Sequence, residues 1–173
     1  MHELVPTATT IALLLNPTNP VQAETQSRDF QAVSRNLGLR LHILHASSER
    51  DLDSVFATVV QQRVGALVIG PDAFFSIRVE QLAGLAFRHS VLAIYQFREF
   101  AVAGGVMSYG VDLMDLFRQP GVYTGRILKG EKPAELPVQQ STKFELVINM
   151  KTAEALGLTV PLTLRGRADE LID

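Results

Sequence analysis

The chain contains no cysteine and no tryptophan among its 173 residues. Without thiols there is no disulfide, no thiolate metal site and no cysteine nucleophile, so the fold rests on packing alone. A marked excess of either charge is missing as well: 16 Lys+Arg stand against 18 Asp+Glu, a formal net charge of −2. Binding a polyanion needs a basic patch, and no Lys/Arg cluster occurs, so nucleic acid is not an expected partner. No apolar run approaches the ~20 residues of a membrane helix. Met1–Pro6 shows no basic stretch leading into an apolar one, so no export signal is visible there. His2–Val5 reads either as the end of a helix stopped by Pro6 or as a frayed terminus. The chain also lacks a Gly-x-Gly-x-x-Gly turn after its first apolar run, a Gly-Lys-Ser/Thr phosphate loop and a Gly-x-Ser-x-Gly elbow. Enzyme chemistry and a bound cofactor are therefore not expected.

What is present is a repeating alternation. Hydrophobic residues make up 47% of the chain and charged residues 20%, enough apolar content for a single packed domain. Ile11–Leu15 is a short continuous apolar run ended by Asn16-Pro17-Thr18-Asn19-Pro20, the pattern of a strand buried on both faces. Val21–Leu37 reads as a helix stopped by Gly38, and Leu39–Leu44 as a strand. Ser48 with Asp51 makes a capping box for a helix carrying Leu52, Val55, Phe56, Val59 and Val60. A strand at 65–70, a helix at 75–88, a strand at 91–95 and a strand at 106–110 follow. Asp112–Lys129 reads as helical, with Pro120-Gly121 predicting a kink or two separate helices. After a linker around Lys129–Pro137, Phe144–Asn149 reads as a strand, Lys151–Leu156 as a helix ended by Gly157, and 162–173 as helical.

Strands alternating with helices predict an α/β fold, an open parallel sheet flanked by helices in a flavodoxin-like or Rossmann-like order. In such sheets ligands bind beyond the carboxyl ends of the strands. That rule selects Asn16, Thr18 and Asn19 after the first strand, Asp72 after the third, Tyr95 at the fourth and Tyr109 at the fifth. Asn16, Thr18, Asn19 and Asp72 either hold a polar ligand or cap the helices that follow them. Tyr95 and Tyr109, with Phe74, Phe75 and Phe97, either line an apolar cleft or belong to the core. His42 and His45 are three apart on a strand and point to opposite faces, a poor metal pair. The last 35 residues or so are too few to own a core and must pack on the main domain, on another copy or on a partner.

Four segments carry a family resemblance: Ile11–Pro20 (IALLLNPTNP), Arg98–Gly110 (REFAVAGGVMSYG), Ile127–Pro133 (ILKGEKP) and Lys143–Asn149 (KFELVIN). Together and in this order they resemble the ABC transporter substrate-binding proteins of the TrpX/TyrX-like group. The resemblance implies an extracytoplasmic two-lobed protein that traps a small, in some members aromatic amino-acid, ligand between its lobes and delivers it to a permease. It implies that residues 8–135 form the second lobe with its hinge helix and that 136–173 are a remnant of the first lobe. It implies ligand contacts from Asn16, Thr18, Asn19, Asp72, Tyr95 and Tyr109. An inter-lobe face and a tail without a partner would predict a homodimer or a tail-exchanged oligomer. The alternative from another class is a cytoplasmic flavodoxin-like regulatory or enzymatic domain that binds a nucleotide or phospho-ligand.

Overall fold

A computed structural model describes residues 3–138 and 143–173. Five strands, β1 (Thr10–Leu15), β2 (Arg40–His45), β3 (Ala66–Ile69), β4 (Ala93–Tyr95) and β5 (Met107–Val111), lie parallel in the order β2-β1-β3-β4-β5. Between them run α1 (Pro20–Asn36), α2 (Glu49–Gln61), α3 (Ala73–Ser76), α4 (Val79–Arg88) and α5 (Arg98–Val102). The chain continues into α6 (Leu113–Leu128), a 3-10 turn at Pro133–Glu135, β6 (Phe144–Asn149), α7 (Met150–Ala155), α8 (Leu162–Arg165) and β7 (Glu170–Ile172).

The expected α/β architecture is present, and β1 shows why. Every residue of β1 is buried, because it pairs with β2 on one edge and β3 on the other while helices cover both faces. Ala12, Leu14, Leu67, Ile69 and Ala93 face one core, shared with Leu52, Phe56 and Val59 of α2 and Leu82 and Leu85 of α4. Each fully buried Leu or Phe contributes roughly 1.5–3 kcal/mol relative to exposure.

Several elements differ from the sequence reading. The helix expected at 75–88 is two helices, α3 and α4, because Asp72 caps a turn that ends at Ile77 before α4 starts. Helix α5 has no counterpart in the reading. The segment 112–129 is one helix, with Pro120 inside it, rather than two. The terminal segment holds only one helical turn, α8, and then becomes β7, whose backbone pairs with β6. Glu3 and Leu4 form a turn and Leu4 is buried, so that part of the expected helix end is absent, while Met1 and His2 lie outside the described residues.

The tail, read from the sequence as a remnant of another lobe, extends this same sheet. β6 runs antiparallel to β5, from Met107↔Ile148 to Val111↔Phe144, and β7 is parallel to β6. Leu146, Ile148, Ala153, Val160 and Leu164 of the tail form a second core cluster with Leu4, Ala66, Leu92, Val106 and Met107. Burial of these side chains against the main domain outweighs any tendency of so short a segment to stand alone. Arg98 donates from Nε and Nη2 to the two carboxylate oxygens of Glu170, each at 2.6 Å, and pins β7 to α5. Asn149 caps α7 through Thr152 N–H and donates from Nδ2 to the carbonyl of Ala101.

Gly110 sits where β5 crosses the chain after β4, and a Cβ there would lie 2.1 Å from the carbonyl oxygen of Gln96. Gly84 in α4 has open space around it. Gly110→Ala is therefore expected to lower stability by about 1–3 kcal/mol through overpacking. Gly84→Ala is expected to raise it by up to ~1 kcal/mol through helix propensity. Urea denaturation of the two variants checks the opposite signs.

Candidate functional site

Parallel β1, β3, β4 and β5 all end at one edge of the sheet, and the loops that leave them gather most of the residues singled out in the sequence. Asn16 follows β1 and is nearly buried. Its Oδ1 accepts from the Thr18 backbone N–H at 3.0 Å and from Thr18 Oγ1 at 2.8 Å. Its Nδ2 donates to Asp72 Oδ1 at 2.8 Å. The same Asp72 oxygen accepts from the Phe74 N–H at 2.8 Å and so caps α3. Of the two roles weighed for it, Asp72 plays the cap of α3, and it also ties the β3 loop to the β1 loop, which the sequence did not suggest. Its Oδ2 accepts no hydrogen bond from the described residues, which leaves one carboxylate oxygen for a donor from outside.

Asn19 occupies the cap position of α1 but makes no cap bond. Its Nδ2 donates instead to Gln22 Oε1 at 2.6 Å, and Gln22 and Gln26 both donate to the Pro71 carbonyl. Pro20 at the first helical position carries no N–H of its own. Asn16, Thr18, Asn19 and Asp72 therefore form one polar group at the carboxyl edge, held from both loops.

The two tyrosines are not part of it. Tyr95 is buried, with its hydroxyl 2.8 Å from Ser76 Oγ and its ring edge-on to Phe97 and Phe100. It packs in the core instead of lining a cleft. Burial pushes its phenol above the usual tyrosine range, against a smaller opposing effect of the Ser76 bond. Tyr109 follows Ser108, the register partner of Tyr95, and so lies on the opposite face of the sheet. It is 58% exposed, stacks on Phe144, and borders a 510 Å³ cavity with Ile94, Met107, Leu146, Leu164, Arg167 and Asp169. Phe75 is core, and Phe74 carries the Arg78 guanidinium over its ring at 4.1 Å.

Arg78 is the residue that sequence reasoning missed. It lies between α3 and α4, 3.6 Å from Glu49 at the start of α2, and borders a 440 Å³ hollow with Ser76 and Ile77. Its place at this edge depends on the break between α3 and α4, which no sequence signal marks. Glu145, opposite Gly110 in the sheet, is held above the ordinary glutamate range by burial and by the negative charge of Asp112. Among the described residues no group of three His, Asp or Glu side chains gathers to hold a metal ion.

With this geometry in place, the comparisons decide the family. The family model described as ABC transporter substrate binding protein matches residues 1–172. The chain belongs to the ABC transporter substrate-binding protein family. Among solved structures, a conserved domain protein from Vibrio cholerae shares 23% identity with a TM-score of 0.85, covering 98% of this chain and 57% of that one. An ABC domain from Streptococcus pneumoniae, solved in complex with L-Trp, shares 25% identity with a TM-score of 0.84, covering 99% of this chain and 59% of that one. A LacI family transcriptional regulator from Bifidobacterium animalis has the same fold at 14% identity and a TM-score of 0.64. No protein of curated function matches. The chain thus spans under three fifths of the length of each of these three structures. The alternative of a flavodoxin-like domain for a nucleotide gains nothing from these matches.

Two outcomes test the geometry. Asp72→Ala removes the cap of α3 and the acceptor of Asn16, and is expected to lower stability by about 1–2 kcal/mol in chemical denaturation. Tyr95 carries a raised folded-state value, so its contribution to stability is complete below the ordinary tyrosine range and is lost as the pH rises through that raised value. In an ultraviolet titration a tyrosine phase is expected above the ordinary tyrosine range, and Tyr95→Phe removes it.

Proposed function

We propose that this chain is a ligand-contacting lobe of an ABC transporter substrate-binding protein. It holds a small, amino-acid-like solute at the carboxyl edge of the sheet and performs no chemistry on it. One observation carries the reading: the family match runs along residues 1–172, and the edge where such sheets bind ligands carries the polar group Asn16, Thr18, Asn19 and Asp72. The free Oδ2 of Asp72 suits a ligand ammonium or hydroxyl, and the start of α1 suits a carboxylate. Tyr109, on the other face, contacts ligand only if that ligand spans the edge toward Phe144. The S. pneumoniae relative binds L-Trp, which supports an amino acid as the ligand class.

In this reading residues 8–135 are the second lobe with its hinge helix. The strands of the tail complete the sheet of that lobe, and only α6 leaves it. The protein works outside the cytoplasm, in the periplasm or at the cell surface, and its macromolecular partner is the transporter permease. No helix among the described residues is long and apolar enough to cross a membrane.

One wall encloses a ligand poorly, so affinity for this chain alone is expected in the millimolar range. Titration of the isotope-labelled chain with L-tryptophan and other amino acids, followed by amide chemical shifts, reads this directly. The expected result is saturable shifts at Thr18, Asn19 and Phe74. If no amino acid or related carboxylic acid moves those amides, the reading fails.

A further inference from the structure

Arg78 holds more donors than its own chain uses. Its guanidinium lies over the Phe74 ring at 4.1 Å, and Nη1 donates to the Phe74 carbonyl at 3.1 Å. Those contacts fix the group in place but occupy a single N–H of a guanidinium that carries several. Nε is buried and has no hydrogen-bond partner among the described residues, and Nη2 donates to none of them either. The carboxylate beside Nε, Glu49 Oε1, is 3.6 Å away, an attraction of charges without a hydrogen bond. Glu49 in turn accepts no hydrogen bond from the described residues, and its side chain is 68% exposed. Arg78 also occupies the cap position of α4 and makes no cap bond there. A cation at the positive end of a helix opposes the dipole, and local conflicts of this kind are expected at functional positions.

Both side chains border the 440 Å³ hollow at the carboxyl edge, a size suited to a small solute. Ser76 lies beside them, but its Oγ is already bonded to the Asp72 carbonyl and to Tyr95. Glu80 adds a second carboxylate to the rim, so a simple anion meets two negative groups there and a simple cation meets Arg78. A ligand that carries both charges satisfies each.

We propose that Arg78 and Glu49 form the head-group subsite of the solute site, Arg78 taking the carboxylate of an α-amino acid and Glu49 its ammonium. The proposal rests on the reading of this edge as a ligand site and names the residues that recognise the two charges. In any α-amino acid the nitrogen and the carboxyl carbon are about 2.5 Å apart, as the bond lengths fix. They can therefore lie against a guanidinium and a carboxylate that are themselves neighbours, with the four charges alternating in sign. Nη2 is free to donate to the carboxylate, and the ammonium brings three donors to Glu49. Asp72, at the other end of α3, remains for a donor on the ligand side chain. The subsite selects free α-amino acids against their amides and N-acetyl derivatives.

The test titrates the whole isotope-labelled chain with L-tryptophan, L-lysine, L-glutamine and L-serine, and with the amide and N-acetyl form of each. At least one free amino acid is expected to move the amides of Ser76, Ile77 and Arg78 saturably, with both derivatives about tenfold weaker. In Arg78→Gln the acid and its amide are expected to bind alike, while the preference over the N-acetyl form persists. Glu49→Gln is expected to give the reverse pattern, and because Glu49 is exposed this variant keeps the fold. Equal dissociation constants for the acid and its two derivatives overturn the proposal, as does a preference that neither substitution changes. Saturable shifts at Thr18 and Asn19 with none at 76–78 overturn it and leave the ligand reading standing. If no compound moves either set of amides, both fall.

Discussion

The burial of β1 on both faces is the constraint from which the rest of this structure follows. A strand with hydrogen-bonded neighbours on both edges and no solvated face can exist only where helices cover the sheet above and below. Parallel neighbours require crossover connections, and the crossovers are α1, α2, α4 and α5 with their loops. Those connections bring every strand end from β1 to β5 to one edge. The candidate site is where it is because Asn16 and Asp72 are the residues that leave two adjacent buried strands there.

The second constraint acts at β5. Gly110 allows β5 to approach the chain leaving β4, and β6 then pairs antiparallel along the whole of β5. This pairing gives the C-terminal segment a core it lacks by itself. It also sends the chain out and back between Val111 and Phe144, so that α6 stands apart from both core clusters. Asp112 and Lys143 pair across the point of departure, which holds the two ends of the excursion together. Position in sequence and membership of the sheet are thus separate matters: β6 and β7 are part of it, while α6, which precedes them, buries none of its residues.

Much of this was legible in the residues. The apolar run at Ile11–Leu15, the glycine stops at Gly38 and Gly157, and the Ser48–Asp51 box mark elements whose physics is local, and each stands in the fold as read. The polar group at the site was legible too, because a strand followed by Asn, Thr or Asp is a pattern within one segment. The tyrosines were not. Tyr95 ends β4 and Tyr109 lies in the middle of β5, yet one is core and the other faces the opposite side of the sheet, and that depends on register with Ser108 and Leu146. Arg78 stayed hidden because its position follows from the α3–α4 break.

By itself the sequence determined the layered α/β class, the absence of thiol chemistry, and the polar carboxyl edge, since these follow from composition and from patterns spanning a few residues. Tertiary structure alone decided that the tail extends the sheet, that 170–172 is a strand and not a helix, and that α6 buries none of its residues. The reason is physical. Those outcomes depend on which surfaces remain to be buried once the first five strands have assembled, and β7 pairs with β6 while α6 buries none of its residues.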